Sequence, residues 1–216
     1  MQLMWKNNAV PVSSRFDDPY YSLENGVAET QHVFLAGNDL PARFADGFHI
    51  AELGFGTGLN LLVTLQAWRA TKARGVLHYT SFEQYPLRRD DILAAHRAFP
   101  ALSPIAKDLT PFLGEQEFCL PDLQFRMILG DARATLPGQS WQADAWFLDG
   151  FSPAKNPELW EGDLMQAVGQ HTKQGGTCAT YTAAGHVRRA LGDAGFDITR
   201  LPGFGRKRHM TRGVMK

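Results

Sequence analysis

Residues 48–62 read FHIAELGFGTGLNLL, a short apolar run that meets three alternating glycines and then opens into a helical pattern. Phe48, Ile50, Ala51 and Leu53 have the near-continuous apolar character of a parallel strand buried on both faces. Gly54, Gly56 and Gly58 allow positive φ and let a ligand approach the backbone closely. Leu59, Leu62, Val63 and Gln66 follow at helical spacing, so the unpaired N–H groups of a helix start point into the turn. The stretch predicts a strand, a tight turn and a helix.

Spacing narrows the ligand. Dinucleotide sites use G-x-G-x-x-G, but here position 59 is Leu and the third glycine comes one residue earlier, behind an acid, Glu52. A carboxylate at a strand end repels pyrophosphate and accepts a hydrogen bond from an ammonium. No G-K-[ST] follows, which argues against a P-loop. The pattern E-x-G-x-G-x-G resembles the first motif of class I methyltransferases, whose ligand S-adenosylmethionine carries an amino group and no phosphate. A turn that only packs closely is the alternative.

The 216 residues suit one domain with a sizeable core, and 44% hydrophobic with 20% charged residues is ordinary globular composition. The start, MQLMWKNN, has no long apolar stretch, and no window approaches about 18 consecutive apolar residues. A cytoplasmic protein is the expectation, with no membrane partner. Cys119 and Cys178 are too few for a disulfide framework, and the seven His lack metal-site context, so no metal is expected. Net charge is zero but unevenly spread: residues 185–216 carry eight Lys or Arg against two Asp, and residues 1–60 three against seven acids. That asymmetry permits an anionic partner near the C-terminal end without demanding one.

Residues 1–46 predict an N-terminal cap of the same domain over the sheet's ligand face, with a turn at Asn25-Gly26; residues 47–216 form the core. In the cap, Asp17, Asp18 and Glu29 read equally as pocket residues or solvated ones. After the glycine turn the helix is expected to reach about Lys72, and VLHYTSFE (76–83) is the next parallel strand. Glu83 ends it, where ligands of such sheets bind and ribose hydroxyls need an acceptor. A helix over 87–99 precedes residues 101–121, read as an insertion or long connection. LQFRMILG (123–130) is the third strand, with Asp131 either an adenine contact or the N-cap of the turn at Ala132, or both. ADAWFLDGFSPAKNPELW (143–160) gives a strand ending at Asp149 and a Pro-rich loop, with a helix from about Glu158. That helix is expected to end by Gly175-Gly176 and the next strand to be TCATYT (177–182). The chain closes as a terminal antiparallel hairpin whose RKR at 206–208 is either a solvated charge run or a phosphate contact.

PVSSRFDDPYYS, ELGFGTGLN, SFE, LDGFSPAKNPELW and GFGRKRHMTRGVMK, in this order over nearly the whole chain, closely resemble the methyltransferase half of the MnmC family, bacterial wobble-uridine tRNA-modifying proteins. DGFSPAKNP and GFGRKR are far more specific than the glycine motif. The resemblance implies a class I, Rossmann-like, mostly parallel seven-stranded sheet with a terminal hairpin. It implies methylation of 5-aminomethyl-2-thiouridine at the first anticodon position, giving 5-methylaminomethyl-2-thiouridine. The expected S-adenosylmethionine residues are Glu52, Gly54, Phe55, Gly56, Thr57, Gly58, Asn60, Glu83, Asp131 and Ala132. Asp149 is expected beside the acceptor amine as the catalytic residue. Tyr20, Phe151, Pro153, Lys155, Arg206, Lys207 and Arg208 are the expected substrate residues toward a tRNA anticodon stem-loop.

MnmC proteins continue into a flavin-dependent oxidase, for which 216 residues leave no room: the chain resembles either a stand-alone methyltransferase or one half of a longer protein. No flavin is expected in it, and the substrate amine is expected from another enzyme, an oxidase acting in trans being one source. Competing readings are a small-molecule amine methyltransferase or aminopropyl transferase, which turns over without RNA, and a non-catalytic binding module, which tolerates loss of Asp149. A nicotinamide oxidoreductase is disfavoured by Glu52 and Leu59.

Overall fold

The computed structural model describes residues 3–6, 10–22, 25–71 and 75–216. At its centre β4 (His49–Leu53) pairs in parallel with β5 (Leu77–Glu83) on one side and β8 (Ala143–Leu148) on the other. Burial follows from that position: Ile50 and Ala51 are fully buried and Leu53 nearly so. Side chains alternate across a strand, so Ile50 and Phe147 join the core beneath the cap while Ala51, Leu53, Trp146 and Leu148 join the core on the opposite face.

The large sheet has eight strands in the order β10-β11-β9-β8-β4-β5-β7-β6. Strand β7 (Leu123–Leu129) runs parallel to β5, and β9 (Thr172–Thr180) parallel to β8. The terminal hairpin is β10 (Phe196–Pro202) and β11 (His209–Met215), with β11 inserted antiparallel between β10 and β9. The eighth strand is β6 (Glu117–Leu120), an antiparallel edge within the segment read as a long connection. It forms because Phe118 stacks between Phe112 and Phe125, at centroid distances of 4.7 and 4.8 Å, and Pro121-Asp122 turns the chain directly into β7. The same segment holds a short helix, α4 (Ser103–Leu109).

Helix α2 (Leu59–Ala70) follows the glycine turn; the expected end at residue 72 lies outside the described residues. Its residues 59–65 are all buried, because the sheet covers one side and cap segments the other. The N-terminal segment contains a three-stranded antiparallel sheet, β1 (Leu3–Lys6), β2 (Val10–Ser13) and β3 (Asp18–Pro19), and a short helix α1 (Gly26–Thr30). Asn25-Gly26 is therefore not a turn: Asn25 Oδ1 caps α1 by accepting from the Ala28 N–H at 3.0 Å. A Cβ at Gly26 would meet Leu59 at 2.9 Å, so α1 lies directly on α2.

The remaining helices cover the sheet: α3 (Arg89–His96), α5 (Ala132–Thr135), α6 (Gly162–Gln170) and α7 (Gly185–Asp193). Two boundaries differ from expectation. A 3-10 turn at Pro157–Trp160 precedes α6. Gly175-Gly176 lies within β9, where the register jumps from Ala143 opposite Thr172 to Ala145 opposite Thr177 and Gly175 takes a φ of 72°.

Candidate active site

Parallel strands end on one edge, so β4, β5, β7 and β8 bring Glu52, Glu83, Asp131 and Asp149 together at or just beyond their carboxyl ends. A cavity of about 500 Å³ opens there beneath the cap, within the usual size range of small-molecule sites. Of the residues expected in a site, Tyr20, Gly54, Phe55, Gly56, Thr57, Asn60, Glu83, Asp131, Ala132, Asp149, Phe151, Arg206 and Lys207 line it. Five do not. Glu52 is fully buried behind the wall, and Gly58 is the α2 N-cap with φ 75°. Pro153, Lys155 and Arg208 lie outside it, with Lys155 exposed and paired to Asp17 at 2.8 Å.

The glycine turn is tight for a specific reason. Gly54 has φ 83°, and a Cβ there would stand 3.2 Å from Gly150 Cα and 3.3 Å from the Asp149 carbonyl oxygen. Only glycine lets the turn after β4 lie against the one after β8, which brings Asp149 up to the start of α2. Gly56 lies under Tyr20, whose ring a Cβ would approach to 3.1 Å.

Asn60 joins two carboxylates. Its Nδ2 donates to Glu52 Oε1 at 2.9 Å and to Asp149 Oδ2 at 2.8 Å, while its Oδ1 accepts from Thr30 Oγ1 at 2.8 Å. Glu52 also accepts from Ser81 Oγ at 2.7 Å, and Asp149 from the Gly150 N–H at 2.8 Å. Burial pushes Glu52 up to about 8, against the donors Ser81 and Asn60. Burial likewise pushes Asp149 up to about 7; the Gly150 N–H and Asn60 oppose the shift, Glu29 adds to it and Lys207 opposes it. An acid titrating near neutrality at a cavity wall is a competent proton acceptor.

Glu83 accepts from the Gly56 N–H at 3.0 Å and the Tyr85 N–H at 2.8 Å, which aims its carboxylate across the glycine turn. Burial raises its pKa from the ordinary value. Asp131 caps α5 through the Arg133 N–H at 2.9 Å. The Arg133 guanidinium also grips it at 2.7 and 3.1 Å and holds its carboxyl below the usual range.

The Pro-rich loop after β8 is pinned at several points. Ser152 N–H donates to Asp18 Oδ2 at 2.8 Å, Tyr181 O–H to the Gly150 carbonyl at 2.8 Å, and Trp160 Nε1 to the Phe151 carbonyl at 2.9 Å. Phe151 stacks on Phe16 with centroids 4.6 Å apart and meets the edge of Tyr20 at 5.1 Å. Lys207 Nζ bonds Glu29 Oε1 at 2.8 Å and lies 3.9 Å from the Tyr181 ring centroid. Of the three cap acids left open by the sequence, Asp18 and Glu29 line the cavity and Asp17 pairs with Lys155. Phe16 lies in the PVSSRFDDPYYS stretch, which gives it no role of its own, and nothing but hydroxyl or aromatic character singles out Thr30 and Tyr181. Among the described residues there is no group of three metal-ligating side chains, and no helix is long and apolar enough to cross a membrane.

A family model described as S-adenosyl-L-methionine-dependent methyltransferase matches residues 103–216. The chain is 43% identical over 99% of its length to the tRNA 5-methylaminomethyl-2-thiouridine biosynthesis bifunctional protein MnmC of Hahella chejuensis. The MnmC of Vibrio cholerae is likewise 43% identical over 99% of the chain. The chain spans 36% and 35% of these two relatives, about a third of each. The crystal structure of MnmC2 from Aquifex aeolicus superposes with a TM-score of 0.81 at 26% identity, covering 96% of this chain and 66% of that one. A precorrin-6Y C5,15-methyltransferase from Geobacter metallireducens, 12% identical with a TM-score of 0.56 over 96% of this chain and 94% of that one, shares the fold. Sheet order, glycine turn and family match agree that the chain belongs to the S-adenosyl-L-methionine-dependent methyltransferases.

Proposed function

We propose that the chain methylates the amine of 5-aminomethyl-2-thiouridine at the wobble position of tRNA, giving 5-methylaminomethyl-2-thiouridine. The observation that carries this reading is the 43% identity to two MnmC proteins over 99% of the chain, which includes the Asp149 loop and the basic hairpin turn. The reading places its work in the cytoplasm, on tRNA that already carries the aminomethyl group.

The cavity of about 500 Å³ has room for S-adenosylmethionine, with Gly54, Gly56 and the Glu83 carboxylate along its wall. In this reading Glu83 holds the ribose hydroxyls, Asp131 and Ala132 border the adenine, and Phe55, Thr57 and Asn60 form the wall nearest the methionine part. Glu52 acts through Asn60 rather than by direct contact, since its carboxylate is buried behind it. Gly58 serves by starting α2. When bound, the cofactor supplies a sulfonium-activated methyl, to which the amine lone pair bonds as the sulfur–carbon pair stays on sulfur.

The chain's own contribution is alignment and proton handling. Only the neutral amine has a free lone pair, and after transfer nitrogen is positive and must shed a proton. Asp149, titrating at about 7, accepts a hydrogen bond from the amine and takes that proton. Phe151, held by Phe16 and Tyr20, is a fixed aromatic wall for the base, and the Pro153 segment shapes its approach. Arg206, Arg208 and Lys155 meet the tRNA backbone. The test is methyl transfer from labelled S-adenosylmethionine to two tRNA pools, one bearing the aminomethyl precursor and one lacking it. Incorporation into the precursor pool alone is expected; incorporation into neither, with cofactor bound, overturns the reading.

A further inference from the structure

The sequence left Lys207 either in a solvated charge run or on a backbone phosphate, but the structure turns its ammonium toward the cavity. Lys207 comes from the β10–β11 turn and Glu29 from α1, and their ion pair at 2.8 Å joins residues 178 positions apart. The Glu29 side chain is only 13% exposed, against 45% for Lys207. The Lys207 ammonium also lies over the Tyr181 ring at 3.9 Å, and the Tyr181 hydroxyl is bonded to the Gly150 carbonyl beside Asp149. Both charges thus face the acceptor side of the cavity that Asp149 lines.

We infer that the Glu29–Lys207 pair sets the protonation state of the acceptor amine, with Lys207 acting at the reacting group and not on the tRNA backbone. This rests on the reading of an amine acceptor given above. A primary alkyl amine is mostly ammonium at neutral pH, with an unperturbed pKa near that of lysine, about 10.4. Carboxylates stabilise the ammonium and so oppose attack. The ionisable groups lining the cavity are Asp18 from β3 with Tyr20 and Tyr21 just after it, Glu29 from α1, Glu83 and Tyr85 at the end of β5, Asp131 after β7, Asp149 and Glu158 after β8, Tyr181 after β9, and Arg206 and Lys207 from the hairpin turn, with Glu52 buried behind Asn60. Glu52 and Asp149 retain protons up to about 8 and about 7, so near neutrality they add less negative charge than their number suggests. Glu29 would then be a major negative charge toward the amine, and Lys207 cancels it. The incoming ammonium can therefore lose its proton to solvent and present a free lone pair, which leaves Asp149 to take the proton released after transfer.

The pair makes opposite predictions for its two members. Single-turnover methyl transfer to aminomethyl tRNA, at saturating cofactor and across pH, compares wild type with Lys207→Met, Glu29→Gln, the double variant and Lys207→Arg. Lys207→Met is expected to move the acid limb up by on the order of one pH unit at most, because the ammonium is 45% exposed and partly screened by solvent. Glu29→Gln is expected to move it down, the double variant to return toward wild type, and Lys207→Arg to preserve it. A second readout needs no turnover: in ¹³C-carboxyl titrations of the protein alone, Asp149 should titrate higher in Lys207→Met and lower in Glu29→Gln. Unmoved limbs with a weaker salt dependence of tRNA binding in Lys207→Met overturn the proposal in favour of a phosphate contact. Equal losses in both single variants at every pH overturn it in favour of a structural latch. If wild type methylates no aminomethyl tRNA, the amine reading fails and this inference with it, whereas the Asp149 titration still reports whether the pair acts on that carboxylate.

Discussion

Asn60→Ala removes the amide that joins Glu52 to Asp149. Asp149 then loses one of its two protein donors and keeps the Gly150 N–H, so its ionised form is less favoured. A hydrogen bond to a charged group contributes about 1.5–3 kcal/mol, equivalent to roughly 1–2 pKa units at 1.36 kcal/mol each. From a starting value of about 7, Asp149 moves to the region of 8–9. At pH 7 the ionised fraction falls from about half to between about one part in ten and one in a hundred, so transfer slows roughly 5- to 50-fold. By pH 9.5 most of that loss is recovered. Thr30 Oγ1 and one oxygen of Glu52 also lose their partner, which costs roughly 2–4 kcal/mol of stability and lowers Tm by several degrees. The assay is single-turnover transfer from pH 6 to 9.5 at cofactor concentrations shown by calorimetry to saturate the variant. A loss of equal size at every pH would refute the argument, because it would mean that Asn60 positions groups without tuning Asp149.

Asp149→Asn keeps the shape but cannot take the amine proton, so methyl transfer should fall by about 10²–10⁴ while cofactor affinity by calorimetry stays near wild type; full turnover would remove Asp149 from the chemistry. Gly54→Ala places a methyl 3.2 Å from Gly150 Cα in a left-handed conformation, and strain of about 1–3 kcal/mol should lower Tm and weaken cofactor binding together. Glu52→Gln tests the buried carboxyl through stability. The folded state keeps this proton up to about pH 8 while the unfolded state releases it near 4.3, so stability present at low pH is lost as pH rises between those values, at up to about 1.4 kcal/mol per unit. Denaturant titrations from pH 5 to 8 should show a shallower decline in Glu52→Gln than in wild type; parallel declines would mean that Glu52 is ionised in the folded protein.

The edge strand β6 shows how an element stays hidden. EFCL alternates in exposure and Pro-Asp follows it, yet four residues among several prolines carry too weak a pattern to separate a strand from a connection. Gly175-Gly176 misled for a related reason, since a glycine pair marks a helix end and a β-bulge equally well. Asn25-Gly26 suits both a turn and an N-cap, and packing on Leu59 chose the helix.

The strand, glycine turn and helix at 48–62, the parallel strands after them and the acids at their ends can all be read from local residue patterns. These are legible because burial on both faces demands unbroken apolar runs, tight turns demand glycine, and parallel strands finish on one edge. Which carboxylates share a donor emerges only once the elements are packed. Glu52 retreats behind Asn60, Thr30 reaches in from the cap, and Lys207 turns inward to Glu29. Those partners lie 8, 30 and 178 residues apart, and a hydrogen bond across such distances depends on how whole elements pack, which no local spacing encodes.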